Sequence, residues 1–433
     1  MTHMKIGIIG AGFTGLSAAY YLQRLGHSVT VFEKDPQPGG LAIGYKEKEW
    51  SWSLEHHYHH WFTNDKAVLA LAREIHHEVV IKKPITSSFV EGSIYQLDSP
   101  LSLLKFPKIS VLNRIRMGLS LALLRFNPIW KPLEKFRAEP YLQYMMGSVG
   151  YKKIWEPLMQ NKLGNYASIV SLAWFWARIY KRTQSLAYPE GGFLEFAQHL
   201  ENEIKKMGGI FHYDAEVVEL SSKEKPEIKH RKLGNSKLEI SNYDKVVVTL
   251  PSPLFIKIAP ALPQKYKERV TKQKGIGAVN VVLRLKESFF KNGTYWLNMC
   301  DLQSPILAIV EHTNFMDSKK YNKEHLVYVG NYMETTDKRF AMTKEELLKL
   351  YNPWLCKINP NYKSSIINYH LFKAPFAQPI VPPNYSKLLP PTKTPFKNVY
   401  LANIQQVYPW DRGTNYAVEL GKNIAEKINE NKS

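Results

Sequence analysis

The stretch KIGIIGAGFTGLSAAYYLQRLGHSVTVFEKDPQPGG, residues Lys5 to Gly40, decides the fold. KIGIIG is an unbroken apolar run and reads as a buried strand. GFTGLSAAYYLQRLG carries helical spacing and closes on Gly26, a residue that readily terminates a helix. HSVTVFEK follows as a second strand, with Val29 and Val31 alternating. Together they form a strand–helix–strand unit of about 30 residues.

The turn between the first strand and the helix is Gly10-x-Gly12-x-x-Gly15. Gly10 permits the tight turn, Gly12 lets a pyrophosphate approach the backbone, and Gly15 allows close packing. Phe13 and Thr14 lie in the first helical turn, where free amides and the positive end of the helix dipole favour an anion. Glu33, followed by Lys34, ends the second strand and is placed to accept hydrogen bonds from ribose hydroxyls. The pattern predicts a bound dinucleotide; the alternative is a glycine turn needed only for packing. A second pair, Gly39-Gly40, precedes Leu41 and lets another loop reach the diphosphate without side-chain obstruction. The fingerprint alone does not choose between NAD and FAD.

Further along, strands are expected at 215–220, 245–250, 279–285 and 398–404, and helices at 343–351 and 415–428. Residues 66–186 read as helical and polar, and residues 374–395 as a proline-rich packed connector. GIGAVN at 275–280 breaks after two glycines, so no second dinucleotide fingerprint is present.

The chain has 433 residues, 44% apolar and 22% charged, as a folded globular protein does. Its net charge is 58 − 38 = +20. That balance favours an anionic contact, whether a membrane surface, a nucleic acid or a phosphorylated substrate, or is merely a solvated basic surface. Cys300 and Cys356 stand alone without a CxxC. A disulfide framework and a structural zinc are therefore not expected, and a reducing cytoplasm is. No signal-peptide cleavage pattern follows the apolar amino terminus. Met117–Leu124 falls far short of the roughly 20 residues that span a bilayer.

GAGFTGLSAAYYL…VFEKDPQPGGLA resembles the amino-terminal signature of the flavin amine oxidase superfamily, which includes protoporphyrinogen oxidases, phytoene desaturases and UDP-galactopyranose mutases. The matching residues are Gly10, Gly12, Gly15, Glu33, Gly39 and Gly40. NVYLANIQQVYPWDRGTNYAVELGKNIA, 398–425, is similar to the segment that carries the flavin ribityl chain and ring. It departs from the usual pattern by having Ala402-Asn403 where Gly-Asp or Gly-Glu is common. By this resemblance Asn403, Gly413, Thr414 and Asn415 contact the flavin, and Val217 lies beside the adenine. The implied fold is α/β: a Rossmann-like FAD-binding domain (1–70, 187–260 and 381–433) with an inserted α+β substrate domain (71–186 and 261–380). The implied cofactor is non-covalent FAD.

LEHHYHHWFTND, Leu54–Asp65, concentrates His56, His57, His59 and His60. A metal needs three or four converging ligands, and neighbouring side chains on a strand diverge. The stretch resembles, loosely, the histidine-rich segment of UDP-galactopyranose mutases. It is expected to wall the flavin pocket, with His57, Tyr58 and His59 as pocket candidates and no metal. Structurally satisfied histidines are the other reading. Arg412, with Tyr408 and Trp410, precedes the carboxy-terminal helix and would suit a substrate with an apolar body and an anionic end. Trp174, Trp176 and Arg178 read as core packing, and Glu311–Phe315 as either a cavity wall or a satisfied turn.

The expected reaction is hydride transfer from a lipophilic small molecule to FAD, as in oxidases, dehydrogenases or desaturases. The alternative is a redox-neutral sugar-nucleotide mutase. A basic binding protein for nucleic acid is the weakest rival, since no RNA-binding motif or basic tail is present. Lys105, Lys108, Arg114, Arg116 and Arg125 among long apolar residues suggest an amphipathic helix lying on an anionic membrane, and a helical core with solvated cations equally.

Overall fold

The structure is a computed structural model and describes residues 3–430. The helices used below are α1 (Phe13–Arg24), α2 (Lys66–Glu74), α3 (Val111–Phe126), α4 (Glu156–Leu163), α5 (Leu172–Lys181), α6 (Phe193–Lys206) and α7 (Thr414–Glu430).

A five-stranded parallel sheet runs in the order Ile210–His212, Ser28–Phe32, Lys5–Ile9, Lys245–Val248, Val399–Leu401. Ile8 stands beside Val31 on one flank and Val247 on the other, all three fully buried. Helices cover both faces of such a sheet, which is why its strands read as unbroken apolar runs. α1 crosses α7 so closely that a Cβ on Gly421 would lie 2.4 Å from the Thr14 carbonyl oxygen. Ser17 Oγ donates to the Val418 carbonyl at the same crossing.

A second sheet has seven strands, in the order Ile366–Pro379, Gly275–Leu285, His325–Met333, Ala308–Glu311, Thr294–Met299, Ile85–Val90, Ser93–Gln96. It is antiparallel except where Thr294–Met299 meets Ile85–Val90. α3, α4 and α5 belong to a helical lobe beside it, with Tyr151, Trp174 and Trp176 in its core. The parallel sheet thus draws on residues 5–32, 210–248 and 399–401, and the mixed sheet on 85–96 and 275–379.

Two sequence expectations need correction. Residues 66–186 are not wholly helical. Ile85–Val90 is a strand whose buried Thr86, Ser87 and Ser88 hid it from a hydrophobic count, and Ser87 Oγ meets Thr294 Oγ1 at 3.0 Å. The proline-rich connector begins as strand, because Ile366–Pro379 sits at a sheet edge, where proline needs no ladder bond. Residues 215–242 form a three-stranded antiparallel excursion, Ala215–Ser222, Pro226–Lys232 and Glu239–Asn242. Among the described residues no helix is long and apolar enough to cross a membrane.

Candidate active site

The amino-terminal glycines build a cradle from backbone alone. Gly10 has φ +104° and Gly39 φ +135°, regions that side chains rarely occupy. Gly12 and Gly39 form a parallel bridge, and Gly39 N donates to the Ala11 carbonyl at 3.0 Å. A Cβ on Gly40 would come within 2.9 Å of Gly12 Cα, and one on Gly15 within 1.9 Å of Gly10 O. Gly12 is the N-cap of α1 and offers no side chain to it, so the helix's first amides remain available to a ligand. The Glu33 carboxylate accepts from Ala11 N at 2.6 Å and from Asp35 N at 2.9 Å. Burial pushes its pKa up despite those bonds.

Across the sheet, Asn403 Nδ2 donates to the Leu250 carbonyl and to Ser252 Oγ, each at 3.1 Å. Its Oδ1 is buried without a partner, an acceptor that a ribityl or ribose hydroxyl would satisfy. A glycine cradle that any Cβ would fill, uncapped amides and this orphaned acceptor fit a dinucleotide.

A cavity of about 330 Å³ lies beyond, bounded by α4, α5, the histidine segment and the start of α7 at Gly413 and Thr414. Five basic side chains line it, Lys83, Lys162, Arg178, Arg182 and Arg412, against Asp98 and Asp411. Arg178 Nη2 pairs with Asp411 Oδ2 at 2.8 Å, and its guanidinium lies 4.0 Å from the Trp174 ring centroid. Arg412 Nε donates to Gln378 Oε1 at 3.0 Å, and Nη2 to the Tyr332 hydroxyl. Lys162 Nζ sits 4.6 Å above the Tyr332 ring. Burial, reinforced by Arg178, pushes the Lys162 pKa well down. Burial opposes the charge on Asp411, yet Arg178 and Lys162 hold its carboxyl below the usual range. Trp155 Nε1, Trp174 Nε1 and Arg178 Nε are buried donors without partners on this wall.

The histidines divide their labour. His56 stacks on Phe372 with centroids 3.9 Å apart, and His57 Nδ1 bonds the Asn280 amide. His59 Nδ1 donates to the His57 carbonyl at 2.6 Å, while His60 Nδ1 faces the Tyr295 hydroxyl at 3.2 Å. Burial lowers all four pKa values, to about 4 for His56 and His59 and about 3 for His57 and His60. The rings are therefore neutral at physiological pH. No group of three or more His, Cys, Asp or Glu positioned for a metal occurs among the described residues.

A family model for flavin containing amine oxidoreductases matches residues 13–429. The chain belongs to that family. Its cofactor is accordingly FAD and its class oxidoreductase. The coproporphyrinogen III oxidase of Staphylococcus aureus (strain NCTC 8325 / PS 47) is 23% identical over 299 residues, 58% of this chain. The match spans 61% of that relative's length. A candidate protoporphyrinogen oxidase from Exiguobacterium sp. 255-15 superposes with TM-score 0.74 at 15% identity, covering 100% of both chains. Reduced UDP-galactopyranose mutase superposes with TM-score 0.76 at 14% identity, covering 98% of this chain and 95% of the other. The fold is thus the two-domain α/β fold of flavin amine oxidoreductases.

In this flavin amine oxidoreductase Tyr58 and His59 line the cavity with Arg412, whereas His57 is drawn away to Asn280. Several expected contacts have other duties. Phe13 is buried between Phe193 and Phe196 of α6, and Lys34 is exposed, pairing with Glu216. Leu41 packs on a small alanine cluster, and Val217 lies in the antiparallel excursion, packed in the core that contains Phe32. Thr14 faces α7 through its carbonyl. Thr414 Oγ1 accepts from Trp61 Nε1 at 2.6 Å, and Asn415 Oδ1 accepts from Ala67 N and Val68 N at the start of α2. These bonds take up the Asn415 Oδ1 and one acceptor site of Thr414 Oγ1, leaving the hydroxyl hydrogen, the Asn415 Nδ2 and the backbone to be offered.

Tyr408 and Trp410 do not join Arg412 at the cavity. Tyr408 donates to buried Glu134 at 2.9 Å, and Trp410 stacks on Tyr416. Glu311 is a satisfied turn: it is fully buried and accepts from Ser288 Oγ, Phe289 N, Phe290 N and Asn314 Nδ2. The expectation of core packing holds for Trp174 and Trp176, both buried in the lobe, but Trp174 also meets the cavity, as does Arg178. Four residues apart on α5, Trp174 and Arg178 share the cavity face, while Trp176 faces the lobe interior. Lys83, Lys162 and Arg182 were missed. Each comes from a different segment, and only the fold brings them together.

Proposed function

We propose that this protein is an FAD-dependent oxidase, dehydrogenase or desaturase acting on a small, lipophilic molecule with an apolar unsaturated body and anionic ends. The cavity carries the reading: Lys83, Arg178, Arg182 and Arg412, with Lys162 held toward its neutral form and two unpartnered indole donors, stand among aromatic rings. Charge-assisted hydrogen bonds from Arg178, Arg182 and Arg412 hold the anionic groups, and Trp174, Trp296 and Tyr58 pack against the body. Non-covalent FAD, when bound, accepts the hydride and passes its electrons to an acceptor. The cradle of Gly10, Gly12, Gly15, Gly39 and Gly40 would hold the diphosphate, Glu33 the ribose, Asn403 the ribityl side, and the backbone of Gly413–Asn415 the ring end. Lys162 Nζ is the atom suited to take a proton from the substrate, since burial favours its neutral form. The neutral His59 and the ring of Tyr58 exclude water without adding charge.

The same reading assigns 1–70, 187–260 and 381–433 to FAD and 71–186 and 261–380 to the substrate. It also assigns the protein to the cytoplasm, a reading supported by the two free cysteines, Cys300 and Cys356. The mutase reading is favoured by one observation, the cationic cavity, which would also take a diphosphate.

The test is an anaerobic visible titration of the purified holoprotein. Coproporphyrinogen III, named by the S. aureus relative, and polyene carboxylates are the first compounds to add. Bleaching of the flavin bands by an anionic lipophilic compound is expected. A flavin that none of them bleaches, but whose dithionite-reduced form turns over UDP-galactopyranose, would transfer the assignment to the mutase.

A further inference from the structure

α3 is apolar on two faces, and only one is covered. Met117, Ser120 and Leu124 point into the lobe and are at most 5% exposed. Leu112, Ile115, Leu119, Leu123 and Phe126 recur at three- and four-residue spacing on the opposite side, Phe126 at 81% exposure. Leu101, Leu104, Ile129 and Phe136 extend the exposed patch on the flanking segments. A patch this continuous marks an interaction site rather than ordinary surface.

Charge identifies the partner. Residues 101–137 contain eight cations, Lys105, Lys108, Arg114, Arg116, Arg125, Lys131, Lys135 and Arg137, against one acid, Glu134. Glu134 is buried and paired with Lys131. Arg114, Arg116 and Arg125 donate to backbone carbonyls of neighbouring segments, which keeps the basic rim fixed. Lys105, Arg116, Lys135 and Arg137 remain exposed beside the apolar stripe. A second copy of a chain with net charge +20 would bring like charges together across this face. A bilayer with anionic headgroups satisfies both the stripe and its rim. We propose that α3 and its flanks dock this protein on the surface of an anionic membrane, with the helix axis in the interface and no segment spanning it.

The docking face is wired to the cavity. α3 packs against α5, where Arg125 Nη1 donates to the Tyr180 carbonyl and Trp176 Nε1 to the Asn127 carbonyl. The other side of α5 presents Trp174 and Arg178 to the cavity. One helix therefore separates the membrane-facing stripe from the substrate-facing wall.

The experiment is co-sedimentation of the holoprotein with vesicles of phosphatidylcholine alone, or of phosphatidylcholine and phosphatidylglycerol in equal parts. Wild type is expected to bind the anionic vesicles, weakly the neutral ones, and to retain some binding at high salt. The double variant Leu119→Glu, Leu123→Glu should lose about tenfold or more in affinity while keeping its flavin spectrum and melting temperature. Equal binding by wild type and variant would overturn the proposal, as would binding abolished by salt alone. Sedimentation velocity supplies the remaining arm. A wild-type dimer that the double substitution dissociates would assign the stripe to a second copy instead. None of these outcomes depends on which substrate bleaches the flavin.

Discussion

The glycine cradle and the cation-lined cavity are held by opposite means. The cradle is fixed by backbone contact: Gly15 against Gly10, Gly40 against Gly12, each too close for a side chain. The cavity is fixed by desolvated side chains, Arg178 against Asp411 and Arg412 against Tyr332, with four neutral histidines behind them. Steric constraint is indifferent to pH and intolerant of substitution. Desolvated side chains are the reverse, able to accept changes of shape but sensitive to every proton. A protein that must hold one invariant cofactor and one particular substrate gains from keeping these two kinds of order apart.

The sharpest way to break the contrast is to put volume into the cradle. Gly15→Val places a Cβ where only 1.9 Å separates it from the Gly10 oxygen. A loss of roughly 3 kcal/mol or more is expected, with little bound flavin after purification and the same deficit at every pH. Flavin-to-protein absorbance ratios and melting curves read both. A variant that keeps full flavin would show that the turn is looser than its contacts imply.

The cavity should answer to acid instead. His59 has its pKa lowered to about 4 by burial, against 6.5 unperturbed. Between those values the unfolded chain binds more protons than the folded one, so stability falls as pH drops through that window. Allowing for the part of the ring that meets cavity water, the loss is about 2 kcal/mol by pH 4. Glu55 acts oppositely: burial raises its pKa to about 7, so its contribution weakens as pH rises. The measurement is therefore a difference, wild type minus His59→Gln across pH 4 to 8, which isolates the ring. A flat difference would mean His59 titrates like an exposed imidazole.

A smaller effect separates substrate binding from structure. Arg178→Met keeps most of the volume and removes the charge, leaving Asp411 with Lys162 and Arg412 nearby. KM for whichever anionic compound bleaches the flavin should rise about tenfold, near 1.4 kcal/mol, with kcat less affected. An unchanged KM would move the anion site to Arg182 or Lys83.

The same contrast explains what sequence alone could tell. The cradle was legible because turn geometry is local: three glycines, a strand before and a helix after leave few alternatives. The strand and helix assignments around it followed from apolar runs and helical spacing. The cavity was not legible, because its basic side chains come from residues 83, 162, 178, 182 and 412 and only tertiary folding converges them. Trp174 and Arg178 stood four apart on one helix, a recognisable pair whose outward direction was unknown. Tyr408 and Trp410 misled for the opposite reason: they adjoin Arg412 in sequence, yet the backbone turns them toward Glu134 and Tyr416. Side chains of Thr414 and Asn415 looked free for a cofactor and instead fasten Trp61 and α2.

That last fastening has a consequence for biosynthesis. Ser17 on α1 donates to the Val418 carbonyl on α7, and Asn415 caps a helix built from residues 66–74. The first helix to leave the ribosome thus waits for partners roughly 400 residues later, on the order of 20 to 80 seconds at ordinary translation rates. The glycine turn itself needs only residues 10–40, whereas the helix behind it waits for α7. A chain that ends before α7 therefore leaves Ser17 on α1 and the first amides of α2 without these partners.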